Sequence, residues 1–186
     1  MTVQRADARR NYALILAVAE EEVAAHGADA SLEQIARTAG VGSATVRRHF
    51  PGRRALLEAV FSKRIDALCA LAVDLADADD PRAALLEWLG ALTTYATSAR
   101  GMADALLLEG ADGADHVSAC SVRLGGAVDP LLHRAALAGA VAPEVTTEDL
   151  ISLVTGLTLA TEHHPEPAAE AHRLLALTVR GISPQG

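Results

Sequence analysis

The stretch from Ser31 to Phe50 limits what this chain can fold into more than any other part of it. Its first half repeats apolar side chains at the spacing of one helix face, at Leu32, Ile35, Ala36 and Ala39. Ser31 stands before this run as a candidate N-cap, because its hydroxyl oxygen can accept a free backbone N–H. Gly40 follows the run and tolerates a positive φ angle. Two short helices joined by a glycine-containing turn are therefore predicted.

The second of these helices is predicted to have an apolar back and a small, basic front. Ser43 can cap it, and Val46 and Phe50 lie one turn apart on the back. At 100° per residue, four side chains point away from Val46 and a fifth lies to one side: Ala44, Thr45, Arg47, Arg48 and then His49. The major groove of DNA admits one such helix and presents base edges to it. The pattern predicts a helix-turn-helix with residues 43–50 as the recognition helix.

The run from Ala39 to Leu56 resembles the DNA-binding signature of TetR-family transcriptional regulators, which is roughly A-G-V-S-x-G-T-L-Y-x-H-F-x-x-K-x-x-L. The similarity extends back to residues 14–19 and on to about Val60, about a third of the chain. It implies an all-α protein with an N-terminal three-helix helix-turn-helix DNA-binding domain at 8–54. A helical ligand-binding and dimerisation domain would follow at 55–181.

The resemblance also implies a set of DNA-binding residues in and around the recognition helix: Ser31, Ser43, Ala44, Thr45, Arg47, Arg48, His49 and Arg53. Residues 43–45, 47 and 48 would face base edges, whereas His49 and Arg53 would hold phosphates. Arg53 stands where the family usually has Lys, and Arg47 stands where it usually has a Tyr that touches the backbone. Arg47 either reads a base or makes a charged phosphate contact, and the sequence leaves both open.

The net charge of −8 argues against DNA binding only when the chain is taken as a whole. Residues 1–64 hold 10 Lys and Arg against 7 Asp and Glu, which gives +3. Residues 65–186 hold 6 against 17, which gives −11. This asymmetry indicates a basic part that faces DNA and an acidic remainder that phosphate repels.

Composition favours helices and a buried core. Apolar residues make up 51% of the chain and aromatic residues only 3%. Most of the apolar residues are Ala and Leu, which favour helices over strands. The longest nearly uncharged apolar run, Leu150 to Thr161, is shorter than the roughly 20 residues that span a bilayer. Because the N-terminus lacks the apolar core of a signal peptide, we expect a cytoplasmic protein with no membrane association.

Helical spacing and capping signals continue to residue 180 and predict about nine helices. The first two thirds of the chain hold a frayed arm at 1–7, a helix from Asp7 to about Ala25, the helix-turn-helix, a long fourth helix from near Arg53 to about residue 76, and a fifth at Pro81–Thr97. The remaining helices are predicted at Met102–Glu109, at His116–Ala138 with a kink or break at Pro130, at about 147–162 and at about 167–180.

The last two helices, at about 147–162 and 167–180, are apolar around much of their circumference. Pairing with their copies in a second subunit would bury that surface in a four-helix interface. The TetR resemblance implies the same homodimer, with two recognition helices on a palindromic operator in double-stranded DNA. The long fourth helix is the one predicted element able to connect the DNA-binding part with the rest.

A ligand site is also predicted. The resemblance implies that the middle helices enclose a pocket for an unknown small-molecule effector, so that the protein acts as a ligand-responsive repressor. Residues that interrupt apolar faces there are its candidate walls, although each also fits an ordinary core: Trp88, Tyr95, Met102, Cys120 and His133.

Two other interpretations stay open beside the ligand-responsive repressor. One is a DNA-binding regulator that a protein partner controls without a small effector. The other is a metal-binding protein that uses the histidines at 162–172, although the His-x₃-His spacing that suits zinc is absent. No nucleophile elbow, HExxH, P-loop or GxGxxG motif occurs. The sequence therefore predicts no enzyme and no cofactor, and it favours a solvated loop over a metal site for residues 162–166.

Overall fold

Helices account for all regular structure in residues 2–98 and 111–181, the part of the chain that the computed structural model describes. They are α1 (Thr2–His26), α2 (Leu32–Thr38), α3 (Ser43–His49), α4 (Arg53–Leu75), α5 (Pro81–Ser98), α6 (Ala111–Leu137), α7 (Thr147–Ala160) and α8 (Pro167–Arg180), with a 3₁₀ helix at Gly27–Asp29. The predicted all-α class is confirmed, with eight α-helices in these two segments. The helix predicted at Met102–Glu109 lies outside the described residues. No helix within the segments is long and apolar enough to cross a membrane.

The chain divides into two compact units, and the division falls inside α4, between Lys63 and Arg64. The N-terminal unit contains α1, α2, α3 and the start of α4, together with residues 111–118 of α6. The C-terminal unit contains residues 64–98 and 119–181. α4 therefore begins in one unit and ends in the other.

Four helices contribute to the core of the N-terminal unit. Its fully buried side chains are Ile15, Ala19 and Val23 of α1, Ile35 of α2, Val46 of α3, and Leu56, Leu57 and Val60 of α4. The helical spacing of apolar residues in α1 also predicts that Leu14 points inward, but this side chain is 46% exposed. Positions 15, 19 and 23 share one face of α1, and Leu14 is turned about 100° from Ile15. In an alanine-rich helix, the sequence defines that face poorly.

Short-range signals placed most helix ends correctly. Asp80 caps α5, since its Oδ1 accepts the N–H groups of Arg82 and Ala83, each at 3.0 Å. At the start of α7, the backbone N–H of Thr146 donates to Asp149 at 2.9 Å, and the hydroxyl of Thr146 accepts the N–H of Asp149 at 3.1 Å. This reciprocal pair is a capping box.

Two helix starts and one helix cap differ from the prediction. α1 begins at Thr2 and not at Asp7, because residues 2–7 contain no Gly or Pro to interrupt it. Gly42, not Ser43, is the N-cap of α3, and it makes no side-chain capping bond. α6 begins at Ala111, inside the predicted loop at 110–115, because a single Gly costs a helix only about 1 kcal/mol.

Pro130 does not divide α6, which continues through it to Leu137. A proline removes one backbone hydrogen bond, here the bond to the carbonyl of Gly126. Both residues are exposed, so water can satisfy that carbonyl. The predicted end near Gly139 is confirmed, since this residue has φ +70° and follows the last turn.

The core of the C-terminal unit forms where α5 packs against α7 and α8, which also pack against each other. Trp88 of α5 is fully buried, and its indole N–H donates to the Leu68 carbonyl of α4 at 3.1 Å. Other buried apolar side chains of this unit are Leu85, Leu89, Leu124, Val128, Leu131, Ala135, Val154, Ala171 and Leu175.

Candidate nucleic-acid interface

α3 has the two-sided character that the sequence predicts. Val46 and Phe50 are buried beneath it, at 0% and 2% exposure. The side chains exposed along it are those of Ser43, Ala44, Arg47 and Arg48, and those of Thr45 and His49 are half-buried. Its outer surface is therefore small at the N-terminal end and basic at the C-terminal end, which suits a helix that enters the major groove.

The turn before α3 depends on Gly40, whose φ is +66°. Its N–H donates to the Arg37 carbonyl at 3.2 Å, and the N–H of Val41 donates to the Ala36 carbonyl at 3.0 Å. These bonds satisfy carbonyls at the end of α2 in the manner of a helix C-terminal glycine motif. The predicted positive φ is confirmed, and it sets the direction in which the chain leaves α2 to start α3.

Ser31 caps α2 as predicted, since its Oγ accepts the N–H of Gln34 at 3.2 Å. Its own N–H donates to the Glu22 carboxylate of α1 at 3.3 Å. Ser31 is half-buried, and its hydroxyl keeps a proton to donate. The structure thus gives Ser31 a capping role, and a contact with DNA remains a prediction for it.

Tyr12 of α1 holds the C-terminal end of α3. Its ring stacks on Phe50 with a centroid distance of 5.2 Å and an interplanar angle of 28°. His49 meets the same ring edge-on at 5.8 Å. Aromatic pairs in these geometries add packing energy beyond the area that they bury. The sequence interpretation overlooked Tyr12, although it is one of only 2 tyrosines in the chain.

The arginines of this surface differ in their partners. Arg47 Nη2 lies 3.1 Å from Oε1 of Glu33 on α2, and Arg53 Nη2 lies 2.8 Å from Oδ1 of Asp29. Arg48, by contrast, makes no hydrogen bond or ion pair with any residue in the described segments. The sequence interpretation missed both carboxylates, because neither ion pair joins neighbours on one helix.

Comparison with known proteins places this geometry in a family. Residues 80–184 match the family described as transcriptional regulator SbtR-like, C-terminal domain, and residues 15–60 match the bacterial regulatory proteins of the tetR family. The chain belongs to the TetR family. Members of this family are transcriptional regulators and in general not enzymes. No curated protein sequence is significantly similar to the chain.

Solved TetR structures share the whole fold. A TetR transcriptional regulator from Streptomyces coelicolor is 36% identical, with a TM-score of 0.74, over 94% of this chain and 99% of the other. A second from Mycobacterium vanbaalenii is 33% identical, with a TM-score of 0.67, over 84% and 93%. FadR from Bacillus subtilis, solved with stearoyl-CoA, has a TM-score of 0.62 over 92% and 100%, and its 17% identity indicates likeness of fold alone.

Of the four predicted ligand residues that the structure describes, Tyr95 and Cys120 are close enough to interact electrostatically, but the four do not line one cavity together. Trp88 and Cys120 are buried, and Arg123 donates to the Cys120 sulfur at 3.5 Å. His133 is exposed on α6, and Met102 lies outside the described residues. Among the four described residues, Tyr95 alone lines an open groove of about 380 Å³ in the C-terminal unit.

That groove runs between α4 and α5 and is mostly apolar. Its lining residues are Arg64, Ala67, Leu68, Leu71, Ala91, Thr94, Tyr95 and Ser98. Arg64 lies over the Tyr95 ring at 5.9 Å and donates to Ser98 Oγ at 2.9 Å. Burial raises the pKa of Tyr95, and the nearby Arg64 charge opposes that shift. The phenol therefore stays neutral at physiological pH and offers a hydrogen bond without charge.

The histidines at 162–172 do not form a metal site in the described structure. His163 and His164 are exposed, and His164 Nδ1 accepts the N–H of Glu166 at 3.2 Å. His172 lies 3.0 Å from Thr94 Oγ1. Across residues 2–98 and 111–181, no three His, Cys, Asp or Glu side chains converge in a way that could hold a metal ion.

Proposed function

We propose that this TetR-family protein is a ligand-responsive repressor that binds a palindromic operator as a homodimer. The observation that carries the proposal is the exposed front of α3, where Arg47 and Arg48 project from a helix whose Val46 is completely buried. Arginine is the commonest reader of guanine, through paired contacts to O6 and N7. In this proposal residues 8–54 bind DNA, and residues 55–181 bind the effector and dimerise.

The surfaces of the last two helices support the homodimer. From Ser152 to its C-terminal end, the outward stripe of α7 carries no charged residue and consists of Ser152, Thr155, Gly156, Leu159 and Ala160, whereas the first turn exposes Glu148 and Asp149. Leu159 is 61% exposed there, and Leu177 of α8 is 37% exposed. Contact with a second copy would remove this surface from water. The two recognition helices of a dimer would then reach half-sites about 34–36 Å apart.

The groove between α4 and α5 supports a small effector. A volume of about 380 Å³ lies within the range of small-molecule sites. Its wall includes α4, which continues into the N-terminal unit, so an effector that prefers one tilt of α4 would change the spacing of the recognition helices. The FadR structure with stearoyl-CoA, which shares the fold, is consistent with a ligand in this class of domain.

Selection of binding sites from genomic DNA with the purified protein tests the DNA-binding part of the proposal. We expect a short inverted repeat, and light scattering of the complex should give two chains per site. Recovery of sequences without a common motif would contradict the proposal. The genes beside the selected operator would also narrow the chemical class of the effector.

Calorimetry tests the control mechanism. Because linkage is reciprocal, effector and operator should weaken each other by the same factor. Simultaneous binding with undiminished affinities would contradict ligand-responsive repression. A screen in which no small molecule stabilises the protein would favour control by a protein partner instead.

A further inference from the structure

Two arginines of the predicted DNA-binding surface are paired with carboxylates that have no place in the proposed contacts with DNA. Arg47 pairs with Glu33 at 3.1 Å, and Arg53 pairs with Asp29 at 2.8 Å. The side chains are open to solvent, with exposures of 62% and 64% in the first pair and 44% and 94% in the second. Ion pairs as exposed as these add little stability. Their main consequence is to decide where each arginine points and which anion it can reach.

The Glu33–Arg47 pair joins the two helices of the helix-turn-helix. Glu33 lies in the first turn of α2, where the helix N-terminus favours a carboxylate, and Arg47 lies on the exposed front of α3. In DNA complexes of this motif the first helix crosses the sugar-phosphate backbone while the second enters the major groove. Glu33 therefore stands on the side of Arg47 from which a phosphate would otherwise attract it.

The geometry of the pair leaves most of the Arg47 guanidinium available. Only Nη2 is bonded to Glu33, so Nε and Nη1 keep their N–H groups. Guanine presents two acceptors, O6 and N7, in the major groove, and a guanidinium held in one orientation can contact both. An arginine already neutralised on one side gains less from a lone phosphate, which offers charge without that fixed pattern.

We propose that Glu33 determines the DNA sequence specificity of this protein by holding Arg47 on the base-reading side of α3 and shielding its charge from phosphates. Glu33 is thus a positioning residue, and Arg47 is the reader. The inference rests on the proposed function, because it requires that α3 enter the major groove.

The Asp29–Arg53 pair supplies a matched control within the same unit. Arg53 is the first residue of α4, outside the recognition helix, and is predicted to hold a phosphate. Removing either carboxylate raises the net charge by one. Freed Arg53 should strengthen binding to every DNA sequence alike. Freed Arg47 should strengthen binding to non-operator DNA selectively, because it becomes an extra phosphate contact.

The experiment measures dissociation constants for the selected operator and for a scrambled duplex, over a range of salt concentrations. For Glu33→Ala we expect the ratio of the two constants to fall about tenfold, and the salt slope on scrambled DNA to steepen by about 1. For Asp29→Ala we expect both affinities to rise by a similar factor and the ratio to stay within about twofold of wild type. Glu33→Gln, which keeps the size and one acceptor oxygen, should produce a smaller fall than Glu33→Ala.

The same comparison in an Arg47→Ala background separates positioning from general electrostatics. Without Arg47, the Glu33→Ala change should leave the ratio unaltered. A fall that persists in this background, or an equal fall for Asp29→Ala, would overturn the inference. If the ratio is unchanged for Glu33→Ala while the protein still prefers its operator, the inference about Glu33 is overturned and the proposed function is not. A wild-type protein without sequence preference would overturn the proposed function itself.

Discussion

Replacing Gly40 with alanine tests whether one backbone angle sets the recognition helix in place. Gly40 has φ +66°, and a Cβ atom built on it meets no heavy atom within 4 Å. Steric contact therefore contributes nothing, and the cost comes from the backbone alone. A left-handed conformation costs a residue with a side chain about 1–2 kcal/mol. Alanine also makes the unfolded chain less flexible, which stabilises the folded state by about 0.4–1 kcal/mol. The free energy of unfolding should therefore fall by about 1 kcal/mol in total.

Hydrogen exchange by mass spectrometry can locate this loss. For Gly40→Ala, amides of α2 and α3 that exchange through local opening should exchange roughly fivefold faster, as about 1 kcal/mol requires. Operator affinity should fall with them, because fewer molecules hold α3 in its binding position. Gly40→Asn should have a milder effect, since asparagine visits the left-handed region more readily.

Gly126→Ala is the matched control. Gly126 lies within α6, its φ is not positive, and an added Cβ also meets nothing within 4 Å. Alanine should stabilise this helix by about 0.5–1 kcal/mol. The two substitutions add the same methyl group and should have effects of opposite sign. Unchanged exchange in α2 and α3 of Gly40→Ala, or a loss above about 3 kcal/mol, would refute the reasoning from the backbone angle.

Three further substitutions probe separate parts of the molecule. Trp88→Phe removes the indole N–H that donates to Leu68 and leaves a small cavity. The free energy of unfolding should therefore fall by about 2 kcal/mol and the melting temperature by roughly 5 °C. An unchanged melting temperature would contradict this prediction. Arg53→Ala should weaken binding to all DNA and lower the salt slope by about 1, and a changed operator preference would count against a phosphate contact. Hydrogen bonds from Thr146 lower the pKa of Asp149 below its ordinary value of 3.8. The ionised carboxylate therefore stabilises the folded protein above that pH, and this contribution is lost as the pH falls through the folded-state pKa. Asp149→Asn should remove this dependence, seen as a smaller change in urea midpoint between about pH 5 and about pH 3 than in wild type.

Much of the DNA-binding surface could be anticipated because its determinants are local. The spacing of Val46 and Phe50 predicts which side of α3 is buried, and both residues are buried. Gly40 adopts the expected positive φ, and Ser31 caps α2 as predicted. These features depend on bonds and angles within a few residues, which sequence spacing describes well. The DNA contacts themselves and the bounds of the two domains stay predictions.

The ligand site could not be anticipated in the same way. Apolar spacing identified helices in the C-terminal unit, but it did not specify which of their faces meet. Of the predicted residues within the described segments, only Tyr95 lines the groove between α4 and α5, and His133 faces solvent. Residue type at an interruption of an apolar face indicates that a position is unusual. It does not indicate whether the side chain enters a cavity, a core or water.

The sequence by itself determined the helix-turn-helix, its turn, the Ser31 cap of α2 and the basic front of α3, because each follows from contacts along a few neighbouring residues. Only the tertiary structure placed Glu33 beside Arg47 and Asp29 beside Arg53, and stacked Tyr12 on Phe50. These partners are separated by up to 38 residues in sequence. Such pairings depend on how whole helices pack, and local spacing carries no information about that. The pattern of the helix-turn-helix was thus local information, whereas the pairing of Arg47 with Glu33 came from packing.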